Sequence, residues 1–303
     1  MTETPHAPDA PDATHAPHTP DAPAAPVDRW FDAGIRIHGL DWGGPDDGVP
    51  VILLHGIGGN AWIWADVAPA LAAALPRHHV VAIDQRDGGD TDHPATGYER
   101  ERFVDDVLAV QDALGGRPMI LVGHSRGGWL GAWLAASHPE RVAGLVLVDP
   151  ARLVFATAGD ADRFFAWVAG SLGPFDDAEA AVAWARAQDR AAVWTPTRVR
   201  SFLAGLAPDA DGRLRGKLPP AVVPQLRVAR EGGSVVTEAL HRATMPVLLL
   251  VAERQSPARI ADKLEYAERI PHAQVVRLPG SHFLHTAVPA DVSAAIAAFV
   301  REP

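Results

Sequence analysis

The 303-residue sequence contains no cysteine. That absence excludes disulfide bridges, thiol catalysis and thiolate metal sites, and leaves the compartment open. Positive charge is also in deficit: 27 Lys and Arg stand against 37 Asp and Glu, for a net charge of −10. A chain of that sign has no electrostatic attraction for nucleic acid or for an anionic membrane surface. No apolar run approaches the ~20 residues needed to span a bilayer. What the sequence does have is apolar content, at 48% of residues. That is enough for a large core, and α/β chains of this length are often single domains.

Residues 1–26 form a compositional outlier. They hold seven prolines, and Pro-Asp-Ala recurs at 8–10, 11–13 and 20–22. Proline at that density forbids a helix or a paired strand, so the segment is expected to be a disordered tail. It has neither a positive n-region nor an apolar h-region and does not read as a signal peptide. His6, His15 and His18 read as solvated side chains of this tail rather than metal ligands. The expectation is a cytoplasmic protein that uses no metal and no cofactor, binds a small-molecule substrate, and engages neither nucleic acid nor membrane. Nothing in the residues specifies an oligomeric state.

Beyond the tail, short apolar runs alternate with helical periods. Strands are expected at 51–54, 79–83, 119–122, 142–148, 246–251 and 274–278, and helices at 61–75, 99–114, 126–137, 260–270 and 289–301. An antiparallel strand at 35–42 leads in. Continuous apolar strands separated by helices predict a mostly parallel sheet covered on both faces. Between Asp149 and Pro246 the rhythm breaks into several helices. This stretch is expected to be an all-helical lid over the sheet's C-terminal edge, where open α/β sheets bind ligands. The domain reading is therefore a core of 27–153 and 241–303 with a lid at 154–240.

Gly123-His124-Ser125-Arg126-Gly127 falls between an expected strand and an expected helix. A serine hydroxyl is a poor nucleophile at neutral pH and needs a base within hydrogen-bond reach. A tight strand-to-helix turn lifts the hydroxyl clear of the backbone and aims the first N–H groups of the helix at a developing oxyanion. The segment matches the G-x-S-x-G elbow in the structural context that pattern requires.

Further segments carry a resemblance to a family. Leu54-His55-Gly56-Ile57-Gly58-Gly59 resembles an oxyanion loop, Asp84-Gln85-Arg86-Asp87-Gly88-Gly89-Asp90-Thr91 resembles a D-x-R-G-x-G-x-S loop, and Pro279-Gly280-Ser281-His282-Phe283-Leu284-His285 resembles a histidine loop. In this order and spacing they resemble the α/β-hydrolase family over residues 29–303. Asp87 departs from the pattern by standing where that family usually has glycine. The resemblance implies Ser125 as nucleophile, His282 as base, and the backbone N–H groups of Ile57 and Arg126 as oxyanion hole. His285 is the competing base and is expected to start the final helix packing. His124 is expected to point away from the hydroxyl, and His55 to fix the oxyanion loop.

The acid is where the sequence departs again. The family's usual position, after the strand at 246–251, is occupied by Gln255, and a neutral amide cannot stabilise an imidazolium as a carboxylate does. A second position, at the end of the strand after the nucleophile's helix, holds Asp149. It resembles the acid of some haloalkane dehalogenases and zearalenone-type lactonases. Asp149 is assigned as the acid, with Asp-Pro turn capping as the structural reading of the same residue and Glu253 as the alternative acid.

A serine nucleophile argues against dehalogenase and epoxide hydrolase chemistry, which need a carboxylate. Ser125, His282 and Asp149 suit acyl transfer to water, so the expected substrate is an ester or lactone, bulky and apolar. Trp129, Trp167, Trp184 and Trp194, with Phe164, Phe165 and Phe202, are candidates to line its pocket, although aromatics at helical spacing also suit a core. Two other functions fit. Ser125-Arg126-Gly127-Gly128-Trp129 resembles the S-x-G-G-W elbow of cofactor-free dioxygenases of this fold, in which the histidine deprotonates the substrate. A non-catalytic ligand receptor on the same scaffold is the other.

Overall fold

The computed structural model of the protein describes residues 25–150, 158–188, 193–228, 240–241 and 243–301. Residues 1–24, nearly all of the expected tail, lie outside that set. Eight strands form one sheet in the order β1 (Val27–Asp32), β2 (Arg36–Asp41), β4 (His78–Ile83), β3 (Val49–Leu54), β5 (Met119–His124), β6 (Val142–Val148), β9 (Val247–Ala252), β10 (Ala273–Leu278). β1 and β2 run antiparallel to their neighbours, and β4 through β10 are parallel.

Alternation along each strand divides the core in two. Ile52, Leu54 and Leu121 join one cluster with residues of α2 (Arg100–Ala113), α3 (Arg126–Ser137) and α8 (Pro257–Glu268). Val51, Leu53, Ile120 and Val122 join the other with residues of α1 (Ala68–Ala74) and α10 (Pro289–Arg301). Both faces being covered explains why these strands read as unbroken apolar runs.

Two local features depart from the sequence reading. The single helix expected over 61–75 is a 3-10 turn, Ala61–Trp64, followed by α1. Pro69 lies in the first turn of α1, where its missing N–H costs nothing, and the helix starts anew there. β1 had no counterpart in the expectation. Among its residues only Phe31 is fully buried, so it carries almost no apolar period and is held by pairing with β2.

Between β6 and β9 lie α4 (Ala158–Gly170), α5 (Ala178–Gln188), α6 (Pro196–Ala204) and α7 (Val223–Val228). The insertion is not all-helical as expected: β7 (Leu206–Pro208) and β8 (Leu214–Gly216) form an antiparallel hairpin within it. Its turn is built by Asp209, whose Oδ1 accepts the N–H groups of Asp211 and Arg213 at 3.0 Å each. Gly212 supplies the positive φ of +79° that the turn requires. Phe165, Val168 and Leu226 of the insertion belong to the same apolar cluster as α2 and α3. α6 is tied to the loop after β3, where Asn60 Nδ2 donates to Ser201 O at 2.7 Å and Ser201 Oγ donates to Asn60 Oδ1 at 3.0 Å. No helix among the described residues is long and apolar enough to cross a membrane.

Candidate active site

The elbow forms because two glycines let the strand and helix pass each other closely. A Cβ on Gly123 would lie 2.3 Å from the Gly127 carbonyl carbon, and one on Gly127 would lie 2.5 Å from His55 O. Ser125 sits between them with φ 53° and ψ −114°. That is a left-handed φ for a side-chain-bearing residue, of a kind that costs about 1–3 kcal/mol and is found at functional sites. Packing of α3 and β5 into the core holds it.

Three loops at the C-terminal edge of the sheet bring the sequence-assigned residues together. His282, in the loop after β10, places Nε2 at 3.0 Å from Ser125 Oγ and Nδ1 at 2.6 Å from Asp149 Oδ2. Asp149 follows β6 in a left-handed conformation, φ 42°, which aspartate tolerates better than most residues. It is fully buried. Burial works against its charge, but the hydrogen bond and charge of His282, with the charge and hydrogen bond of Lys263, outweigh that effect and hold the carboxyl below its ordinary value. Its Oδ1 accepts Ala252 N–H at 3.0 Å, Gln255 Nε2–H at 3.1 Å and Lys263 Nζ–H at 2.7 Å. Gln255, in the family's usual acid position, is therefore a donor to the aspartate. Glu253, the alternative acid, pairs instead with Arg277, at 3.2 Å.

Ile57, assigned to the oxyanion hole, lies in the loop after β3, whose Gly56 approaches the Ser125 side chain, and Arg126, also assigned to it, lies in the first turn of α3, where N–H groups have no intrahelical acceptor. Asp87 links the two segments. It is fully buried, its Oδ1 accepts from Arg126 Nη2, and its Oδ2 accepts Gly58 N–H at 3.1 Å. This explains the residue that stands in place of glycine. His55 also fixes the loop. Its Nε2 accepts Gln85 N–H at 2.8 Å, which leaves Nδ1–H to donate to Gly56 O at 2.6 Å. Burial lowers the His55 pKa and keeps that neutral form.

His124, expected to point away from the hydroxyl, has its Nε2 2.9 Å from His282 O as donor to that carbonyl. His285 is fully buried in α9 (Leu284–Ala287) against Trp64 and His124, with ring centroids 4.7 and 4.3 Å away. Of the pocket candidates, Trp129 packs on Trp133 and belongs to the sheet's core. Trp167 is partly exposed beside Phe164. Trp184 contacts Phe175 within a small cluster internal to the insertion. Trp194 is linked to the site through Arg198, whose guanidinium stacks on it and on Phe283, next to His282. Arg198 was not singled out from the sequence. Its signal is a basic residue on the buried side of α6. A group of potential metal-binding atoms, His38, Asp84 and Asp90, lies elsewhere. The Asp84 oxygens there already accept Ala61 N–H at 2.6 Å and Asp90 N–H at 2.8 Å and meet His38 Nδ1 at 2.7 Å.

The buried histidines make stability depend on pH. Burial, then the charges of His282 and Arg198, lower His285 to about 3. Burial and neighbouring histidine charges also push His124 well below its ordinary value. Below a pH of about 6.5 the unfolded chain takes up protons that the folded chain refuses. Stability is therefore full above that pH and falls as pH drops toward 3, by up to about 1.4 kcal/mol per pH unit for each such histidine. Urea melts at pH 7, 6 and 5 should show that loss, and His285→Leu should remove about one histidine's share of the slope. An unchanged slope would contradict the neutral burial of His285.

A serine on a strand-to-helix elbow, a histidine after the last strand and a mostly parallel eight-stranded sheet define a class of protein, the α/β hydrolases. A sequence profile of the alpha/beta hydrolase fold matches residues 49–286, and the chain belongs to that family. The 2-(acetamidomethylene)succinate hydrolase of Mesorhizobium japonicum (strain LMG 29417 / CECT 9101 / MAFF 303099) is 29% identical over 251 residues, which are 82% of this chain and 87% of that one. The crystal structure of E-2-(acetamidomethylene)succinate hydrolase is similar with a TM-score of 0.74 and 25% identity, covering 91% of this chain and 99% of that one. The 2-hydroxymuconate semialdehyde hydrolase of Pseudomonas sp. (strain CF600) is 36% identical over 124 residues, 41% of this chain and 43% of that one. These relatives are hydrolases by name and support a hydrolase function for this chain.

Proposed function

We propose that the protein is a serine hydrolase that cleaves a carboxylic ester or lactone through an acyl-enzyme. The observation that carries this reading is the continuous hydrogen-bonded chain Ser125 Oγ, His282 Nε2, His282 Nδ1, Asp149 Oδ2, with separations of 3.0 and 2.6 Å. Ser125 Oγ attacks the carbonyl carbon as its proton passes to His282 Nε2. The N–H groups of Ile57 and Arg126 take the charge that forms on the carbonyl oxygen. His282 returns the proton to the departing alkoxide, and water, deprotonated by the same nitrogen, releases the acid. Asp149 holds the Nδ1–H tautomer throughout and stabilises the imidazolium. The relative named for an acetamido-bearing succinate supports hydrolysis at a carbonyl group. Aromatic side chains of the insertion, Trp194 and Phe202 in edge contact, support a bulky apolar substrate, with the insertion serving as a lid.

The test is covalent labelling. A fluorophosphonate is expected to add once, at Ser125, with hydrolysis of p-nitrophenyl acetate lost in step. The S-x-G-G-W elbow, at Ser125 to Trp129, keeps the cofactor-free dioxygenase as a second reading. Absence of the adduct, with oxygen uptake in an electrode assay across deprotonatable heteroaromatic substrates, would replace the hydrolase proposal with that one.

A further inference from the structure

Lys263 lies on α8, outside every segment that resembles the family's motifs. Its ammonium is nonetheless buried behind the site, with side-chain exposure of 9%, at 2.7 Å from Asp149 Oδ1 and 2.8 Å from Gln255 Oε1. Gln255 closes the triangle: its amide N–H donates to the same Asp149 oxygen at 3.1 Å and to Ala252 O at 2.6 Å. A carboxylate's terminal torsion is soft and roughly two-fold, so an aspartate supported only by a histidine can rotate. Here one oxygen is saturated by three donors from β9, its following loop and α8, which leaves the other to face His282.

We propose that Lys263 is a positioning residue of the Ser125–His282–Asp149 unit: its ammonium pins the Asp149 carboxylate toward His282, and its charge opposes the gathering of positive charge on that unit when His282 accepts a proton. The inference rests on the hydrolase reading above. The charge balance gives its direction. Without Lys263, protonating His282 turns a carboxylate of charge −1 into a neutral pair. With Lys263, the starting unit is already neutral and the same proton leaves an excess positive charge. The Lys263 ammonium therefore works against the charge that forms on the His282 ring. Among the described residues, the other charged or titratable groups facing this unit are His124 at the end of β5, His285 on α9 and Arg198 on α6, of which both histidines are held neutral by burial. Arg259 and Asp262 act on Lys263 from its own helix. Burial lowers the Lys263 pKa from its ordinary value, and the Asp149 charge and hydrogen bond work in the opposite direction.

The experiment uses the full chain, with p-nitrophenyl acetate hydrolysis and fluorophosphonate labelling followed from pH 4 to 9. Lys263→Met is expected to raise the acid limb of both profiles by about one pH unit, the scale on which a nearby charge acts. KM should stay within about twofold, because Lys263 sits behind Asp149 rather than against the substrate. Lys263→Arg keeps the charge and should leave the limb where it was. Should Lys263→Met fail to fold, Lys263→Gln removes the charge while retaining a donor, and the same displacement is expected. A folded neutral variant with an unmoved limb would overturn the proposal and reduce Lys263 to packing. Titration of the His282 ring nitrogens by NMR reads the same displacement without any substrate. A wild-type chain that neither labels nor turns over would therefore sink the hydrolase reading, while the NMR midpoints still decide the role of Lys263.

Discussion

Ser125→Ala is expected to lower kcat by about 10⁶-fold, the loss seen when the nucleophile of a serine hydrolase is removed. The substitution deletes one hydroxyl from a residue that is 9% exposed. The positive φ is kept by the packing of α3 on β5, so the melting temperature should move by no more than about 2 °C. His282→Ala should cost about as much, and the double variant no more than either, because attack needs both groups in the same step. Steady-state hydrolysis together with labelling checks this. Turnover of an ester by folded Ser125→Ala at more than about a hundredth of the wild-type rate would exclude an acyl-enzyme on this serine.

Asp149→Asn is the second large effect, with an expected loss in kcat of about 10⁴-fold. The amide can offer its N–H to His282 Nδ1, which places the remaining ring proton on Nε2 and leaves that nitrogen unable to accept from Ser125. Here the change has a second consequence. It removes the anion that faces the buried Lys263 ammonium at 2.7 Å. Removing one member of a buried pair typically costs about 3–5 kcal/mol, and the retained oxygen, with Gln255, offsets part of it. A drop in melting temperature is therefore expected alongside the rate loss, unlike Ser125→Ala. Gln255→Ala removes one of three donors to Oδ1 and should lower kcat by only about tenfold. Equal losses in kcat for Asp149→Asn and Gln255→Ala would mean that Asp149 acts as scaffolding and not as partner of His282.

Features set by short-range chemistry were legible in the residues. The elbow could be read because strand, tight turn and helix are dictated within a few positions, and only glycine fits at 123 and 127. α3 and α10 match their expected bounds, and the parallel sheet followed from unbroken apolar strands. Where the local signal was weak or mixed, the reading failed. β1 buries one side chain, the hairpin β7–β8 rests on three-residue strands, and the helix expected over 61–75 restarts at a proline. The assignment of Asp149 rests on its resemblance to subfamilies that carry their acid after this strand and on the amide at 255, and the hydrogen bond it makes spans 133 residues of chain.

Lys263 marks the boundary between the two kinds of information. One signal for it existed: it lies on the stripe of α8 that carries Ile260, Leu264 and Ala267, where an exposed helix would have an apolar residue. That pattern says a lysine is buried without saying against what. Its partner lies 114 residues away, at the end of a different strand. Composition and periodicity determined the layers of this protein and the turn that presents its serine, because strand pleat, helix period and glycine sterics act between neighbours in sequence. The environment of Asp149, the bonds of Asp87 to Arg126 and to the loop after β3, and the docking of the insertion were decided by the tertiary structure alone. Burial pairs charges and hydrogen-bonding groups by distance in space, which no local pattern in the chain records.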